Sequence, residues 1–481
     1  MAGPVLFSSL WALAPNPTAT LHSVQPPLSA IKAAPTNHEA HLAQSIATNS
    51  NLATVAWNAA LTNLAQNQQF RTTAFGKQPF KLDETWHFAK NAYTMHDVEN
   101  DITLLPPMFV AHGVRLNDGI YNKPMPDNFQ YANVREAMER ATVVMLNAGF
   151  VVPKLAQVAL SMMEATQLPI WLNVYLSRPG LETSTQLHTD KQDVLLVQTT
   201  GRKRWRVYRP PPPVDAPNMD PFARGKGTDL MEPRADDLLI DTVTHPGEIL
   251  FIPAGFPHET DTLSDTGSND EFSVHLTIGV DTHLWGLSYA TMRSRALAPL
   301  GKPDALSDGS PITCLPFDSW QLLNSPLSVG FLAVEPIGQV IAHGGTGSDL
   351  SLVREALAQS TAEELSRRMC VAEPDRWDGV DVVKELGLVD LSKRFIEHHS
   401  DVLGEQCAMY RRAAAGPPQS SREHKTCMDA LFRSMDRLDM LMSKLRGEEE
   451  ATTRDSGGAS PKGGGFGSTS PKPPKPKKKR R

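Results

Sequence analysis

The stretch Gly247-Glu248-Ile249-Leu250-Phe251-Ile252-Pro253-Ala254-Gly255-Phe256-Pro257-His258 decides how the rest of the chain is read. Ile249 to Ile252 is a short apolar run with the length of a buried strand. Pro253-Ala254-Gly255 then forms a turn, because proline pre-sets the backbone and glycine accepts the conformations other residues avoid. The turn delivers a histidine, His258, just beyond the end of the strand.

Upstream lies His188-Thr189-Asp190, followed by the apolar run Val194, Leu195, Leu196 and Val197. Side chains alternate faces along an extended chain, so His188 and Asp190 point the same way. If the strand before His258 lies across a barrel from the strand after Asp190, the three side chains meet. Two imidazoles and one carboxylate on one face of a metal leave sites open for a co-substrate and O2, as in non-haem Fe(II) oxygenases. A His-x-Asp alone is common on solvated loops. The second stretch is more restrictive, and its spacing resembles the second sequence motif of cupin barrels.

Composition bounds the alternatives. The 481 residues leave room for two or three domains, and 40% are apolar. No run approaches the ~20 apolar residues of a membrane helix. The apolar stretch Val5 to Ala14 is interrupted by serines and lacks the basic flank of a secretory signal. Residues 1–38 hold no acid and, apart from histidine, one cation, Lys32. They read as a disordered tail, with an organellar transit segment as the alternative. The four cysteines (Cys314, Cys370, Cys407 and Cys427) lack metal spacing and are too few for a disulfide framework, which implies a reducing compartment. From Ala451 onward nine Lys or Arg stand against one acid, a charge of +8, so the rest of the chain carries −6 − 8 = −14. Such a body suits a basic protein partner better than nucleic acid.

The reading divides the chain into a disordered tail (1–35), a helical and irregular extension (36–129), a catalytic domain (130–298), a linker (299–345), a helical region (346–446) and a disordered basic tail (447–481). Within the catalytic domain, strands are expected at Thr142–Asn147, Ile170–Leu176, Val194–Gln198, Lys203–Arg209, Ile249–Ile252 and Phe272–Val280, with a helix over Lys154–Gln167. Residues 214–240 read as a polar insertion, and Asp261–Asp270 as a loop. On Phe272–Val280 the polar face carries Ser273, His275 and Thr277, which in a small barrel look into the cavity. His275 fits a core histidine slightly better than a chemical role. A helix spans Ser421–Arg446, with apolar residues at three- and four-residue spacing.

Together these stretches resemble the JmjC oxygenases, in particular the ribosomal oxygenase subgroup (histidyl and arginyl hydroxylases, cupin-4-like). The residues that carry the resemblance are Asn173-Val174-Tyr175, His188-Thr189-Asp190, Gly201 to Tyr208, Gly247 to His258, and Ser273 to Thr277. It covers about residues 130–285. It implies a mainly β core, the double-stranded β-helix of the cupin/JmjC barrel, with flanking helices and a helical C-terminal region. It also implies Fe(II), with 2-oxoglutarate and O2 as co-substrates. By position, His188, Asp190 and His258 would be metal ligands and catalytic residues. Lys203 would hold the distal carboxylate of 2-oxoglutarate, with Arg178 or Arg206 as substitutes. Tyr175, Asn173 and Thr277 would line the same pocket.

The implied function is hydroxylation of a protein side chain, His or Arg of a ribosomal protein. Histone lysine demethylation, small-molecule oxidation and an inactive cupin binding module are the alternatives. Partners are then a ribosomal protein or a histone. A homodimer and a weak nucleic-acid contact by the basic tail are further readings, and no membrane is expected. Lys475 to Arg481 reads as a nuclear localisation signal. The expected location is nuclear or nucleolar, with cytoplasmic and organellar alternatives.

Overall fold

The computed structural model describes residues 50–102, 109–115, 119–124, 130–211, 222, 224–225, 231–263, 271–333 and 348–446. The expected N-terminal tail, the basic tail and most of the polar insertion lie outside these residues.

Among the described residues twelve strands form two antiparallel sheets. The larger sheet runs β1 (Phe80–Lys81), β10 (Ile249–Ile252), β7 (Asp193–Thr200), β12 (Ser273–Val280), β5 (Ile170–Ser177), β4 (Thr142–Met145), β2 (Phe109–Arg115) and β3 (Gly119–Pro124). The smaller runs β6 (Thr185–His188), β11 (His258–Asp261), β8 (Lys203–Tyr208) and β9 (Leu238–Thr244). From β5 to β12 the chain crosses from one sheet to the other at nearly every connection. That winding is a double-stranded β-helix, as the resemblance implied. β1, β2 and β3, which precede residue 130, are hydrogen-bonded into the larger sheet.

Strand alternation divides the core in two. Leu195, Val197, Ile249, Phe251, Val274, Leu276, Ile278 and Val280 point outward from the large sheet into the main core with the helices. Val194, Leu196, Trp205, Val207, Leu250, Ile252 and Phe256 point inward and fill part of the space between the sheets. The remaining inward positions are polar, and they make the site.

The extension before the barrel has a packing role that the sequence did not disclose. Phe70, Phe75, Phe80 and Phe331 surround Phe251 or one another with ring centroids 4.9–6.0 Å apart. This cluster covers the outer face of β10, the strand that leads to His258. Phe251→Ala is therefore expected to cost about 3–5 kcal/mol, read as a shift in the denaturant midpoint.

The helical region is tied to the other end of the barrel. On helix Leu388–Ala414, Gln406 Oε1 accepts from Ile170 N at 2.9 Å, and the Tyr410 hydroxyl donates to the Ile170 carbonyl. These bonds satisfy both backbone groups at the start of β5, where an unpaired buried group would be costly. Arg293 and Glu373 form a buried bidentate pair, at 2.7 and 2.8 Å, that joins helix Tyr289–Leu297 to the end of helix Ser348–Ala372.

Candidate metal and co-substrate site

His188 ends β6 and His258 begins β11, and the two residues face each other as a cross-strand pair. Their rings lie 4.4 Å apart. This corrects the expected geometry. The strand before His258 does not lie across the barrel from the strand after Asp190, because β10 and β7 are hydrogen-bonded neighbours with Ile249 opposite Val197. The histidines meet instead on the smaller sheet, through two short strands of mostly polar residues that a hydrophobic pattern does not show. Asp261 closes β11 instead of opening a loop.

Asp190 follows β6 and turns back to the pair. Its two carboxylate oxygens lie 3.7 Å from His188 Nε2 and 3.6 Å from His258 Nε2. One ligand atom from each of the three residues lies within 4.8 Å of the others. The opposite ring nitrogens are fixed by backbone carbonyls. His188 Nδ1 is 2.7 Å from the Gln186 oxygen, and His258 Nδ1 is 2.9 Å from the Phe256 oxygen. A carbonyl can only accept, so this contact favours the tautomer with the proton on Nδ1. The Nε2 atoms then carry the lone pairs on the side of Asp190, as ligating histidines require.

The Pro-x-Gly turn is bonded directly to the first motif. Gly255 N donates to the Asp190 carbonyl at 2.9 Å, and Ala254 N donates to Asp193 Oδ1 at 3.1 Å. Burial holds the Asp193 carboxyl up at about 7, against the opposing pull of the Ala254 N–H. The polar insertion also reaches this point. Thr189 N donates to the Arg224 carbonyl, and Arg224 N donates to Thr189 Oγ1, both at 3.1 Å. Gly225 sits so close to the Leu187 carbonyl and His188 Cα that a β-carbon has no room there.

Lys203 opens β8 after a tight turn at Gly201, whose φ is +62°. Its side chain is 1% exposed and crosses the barrel to donate to Ser177 Oγ on β5 at 2.9 Å. Thr142 Oγ1 is 2.9 Å from Ser177 Oγ and donates its proton to the Ser184 carbonyl at 2.7 Å. Ser177 therefore donates to Thr142, and its lone pairs face Lys203. Burial, opposed by Asp261, pushes the Lys203 amine down to about 7. An ammonium offers three donors. Among the described residues its one hydrogen-bond partner is a neutral hydroxyl, so a buried anion would fit beside it.

The other proposed pocket residues fall on the same inner faces. Tyr175 stacks on His275 at 4.9 Å, and Trp205 meets His275 edge-on at 5.3 Å. Burial and the nearby Asp190 carboxylate hold the Tyr175 phenol above its ordinary value. Asn173 lies opposite Thr277 in the sheet and accepts from Asn147 N at 2.8 Å. Thr277 Oγ1 is buried with no hydrogen-bond partner among the described residues. The substitute anchors are engaged elsewhere. Arg178 donates to the Glu139 and Pro179 carbonyls, and Arg206 pairs with Asp261 and Glu259. Ser177 was missed in the sequence, although it continues the two-residue repeat of Asn173 and Tyr175.

Residues 146–284 match the family model described as the JmjC domain. This barrel is a JmjC domain. A Drosophila mojavensis protein named bifunctional lysine-specific demethylase and histidyl-hydroxylase NO66 is 31% identical over 139 residues, 29% of this chain and 14% of that protein. Human ribosomal oxygenase 1 is 32% identical over 115 residues, 24% of this chain and 16% of its own length. The chain thus aligns with less than a fifth of either relative, and both alignments are no longer than the matched JmjC domain. A solved structure of YcfD, a ribosomal oxygenase from Escherichia coli in complex with cobalt and 2-oxoglutarate, is 17% identical, with a TM-score of 0.33 over 62% of this chain and 70% of that one.

Proposed function

We propose that the chain is an Fe(II)- and 2-oxoglutarate-dependent dioxygenase that hydroxylates a protein side chain, a His or Arg of a ribosomal protein. The observation that carries this reading is a barrel interior with polar groups toward the two ends of β8, beside Val207 and at Lys203. At one end His188, Asp190 and His258 present two nitrogens and a carboxylate to one point. At the other, a buried lysine meets neutral hydroxyls. A metal fits the first end because both histidines already have their Nδ1 protons held by carbonyls. A dicarboxylate fits the second because Lys203 lacks a counter-anion within hydrogen-bonding distance among the described residues.

When bound, Fe(II) with 2-oxoglutarate and O2 supplies the oxidant for a C–H bond, and the co-substrate leaves as succinate and CO2. The chain's own residues bind and orient. His188, Asp190 and His258 hold the metal. Lys203 and Ser177 fix the far carboxylate, so that the keto acid end is delivered toward the metal. Trp205, Val207, Leu196 and Leu250 exclude water from the space between them. Tyr175, Asn173 and Thr277 line the co-substrate pocket.

The resemblance to human ribosomal oxygenase 1 and the −14 charge outside the basic tail support a basic ribosomal substrate. The name of the NO66 relative includes a lysine-specific demethylase and supports lysine demethylation, with a histone as the substrate we would test, as the second reading. The test is to incubate the full chain with Fe(II), 2-oxoglutarate and O2. Ribosomal proteins and methylated histone peptides are then read by mass spectrometry. Gain of one oxygen on a ribosomal His or Arg is the expected result. Loss of a methyl group from histone peptides alone would favour the second reading, and no succinate under any condition would contradict both.

We further propose that the run Lys475 to Arg481 directs nuclear or nucleolar import. A tagged chain ending at Gly465 is expected to lose nuclear accumulation. A truncated protein as nuclear as the full chain would contradict this.

A further inference from the structure

We propose that His275 is a second anchor for the distal carboxylate of the co-substrate, acting beside Lys203 and Ser177 as a specificity-determining group. The inference rests on the function proposed above.

His275 lies on the inward face of β12, between Tyr175 on β5 and Gln198 on β7. Its ring is 2% exposed and held by the stack on Tyr175 and the edge contact with Trp205. Packing alone does not account for a histidine here. Nδ1 is buried with no hydrogen-bond partner among the described residues, which costs roughly 1–3 kcal/mol. A phenylalanine would fill the same aromatic slot without that cost. The neighbouring polar side chains Gln198 and Thr244 are satisfied. Gln198 bonds Ser273 Oγ and the Thr200 carbonyl, and Thr244 Oγ1 bonds Gln198 and the Lys203 carbonyl. Three inward-facing groups keep unused hydrogen-bonding capacity among the described residues: the Lys203 ammonium, His275 Nδ1 and Thr277 Oγ1.

The charges agree with this placement. Burial and the neighbouring Lys203 hold the His275 imidazole well below its ordinary value. An anion bound beside the two bases would favour the protonated form of each. The groups around them carry little compensation. Asp261 acts on Lys203 from β11 but is paired with Arg206, Asp190 faces Tyr175 at the metal end, and Gln198, Thr244, Thr142 and Ser177 are neutral. A ligand with one carboxylate at the metal and a second at this end would satisfy both bases. A 2-oxo acid of the same length without the second carboxylate would leave His275 unmet.

The test is direct binding of two probes, 2-oxoglutarate and 2-oxovalerate, to Mn(II)-loaded full-length protein under anaerobic conditions, by calorimetry. Variants are His275→Phe, which keeps the stack, and His275→Gln, which keeps a donor. His275→Phe is expected to weaken 2-oxoglutarate by about tenfold or more, with 2-oxovalerate unchanged and His275→Gln intermediate. The proton count, read from buffers of different ionisation enthalpy, should fall in His275→Phe. Unchanged 2-oxoglutarate affinity in His275→Phe, or equal weakening of both probes, would overturn the role of His275 alone. Failure of the unsubstituted protein to bind 2-oxoglutarate would overturn the proposed function with it.

Discussion

Asp190→Ala is expected to remove succinate production by roughly a thousandfold or more, about 4 kcal/mol of transition-state stabilisation. Asp190 supplies the only negative charge among the three converging side chains. Without it two neutral imidazoles remain, and a divalent cation loses both a ligand and its charge balance. The barrel should survive. Asp190 lies just past the end of β6, its carbonyl bond to Gly255 N is a backbone bond, and the histidines keep their own carbonyl partners. His188→Ala should give the same loss. The check pairs succinate release with far-ultraviolet circular dichroism. Full activity with an intact fold would remove Asp190 from the metal site, and lost activity with a lost fold would make the residue structural.

Lys203→Met is expected to separate stability from function. The metal-free protein should become more stable at pH 7, while 2-oxoglutarate binding weakens by about a hundredfold. In the folded chain, burial lowers the amine to about 7, whereas an exposed lysine holds its proton to 10.5. Between those values the unfolded chain binds more protons than the folded one, so this residue makes stability rise with pH. Below about 7 both states are protonated and the full cost of burying the ammonium is present. Replacement by an apolar side chain of similar length removes that cost and forfeits one hydrogen bond to Ser177. The net gain is on the order of 2–4 kcal/mol at pH 7. It should shrink steadily toward pH 10. Asp193, raised to about 7, has the opposite sign, making stability fall as pH rises from its ordinary 3.8 toward 7. Its window ends where that of Lys203 begins, so the difference between the two proteins above pH 7 isolates the lysine. A Lys203→Met protein that is less stable than its parent at pH 7 would mean the ammonium is better solvated than its burial implies.

How far the sequence disclosed this arrangement depended on what each residue does. β7, β10 and β12 were legible because they bury a continuous or alternating apolar face, and Lys203, Trp205 and Val207 could be placed on one face by parity. The strands that hold the histidines were not legible. Thr185–His188 and His258–Asp261 are four residues each and mostly polar, and their strand character comes from pairing with each other and with β8. The three residues that converge were therefore readable from their types and order, while the geometry expected for them was wrong. The partners of Lys203 were hidden for a similar reason. Ser177 and Thr142 matter because two distant strands bring their hydroxyls together. The aromatic cluster around Phe251 and the Tyr410 cap on β5 arise from contacts far apart in sequence, which periodicity does not encode.

The most direct test of the central claim is a crystal structure of the full chain with Mn(II) and 2-oxoglutarate grown without O2. An anomalous metal peak is expected about 2 Å from His188 Nε2, His258 Nε2 and one Asp190 carboxylate oxygen, with the distal carboxylate of the ligand on Lys203 Nζ. A metal bound elsewhere, or a ligand whose distal carboxylate avoids Lys203, would contradict it.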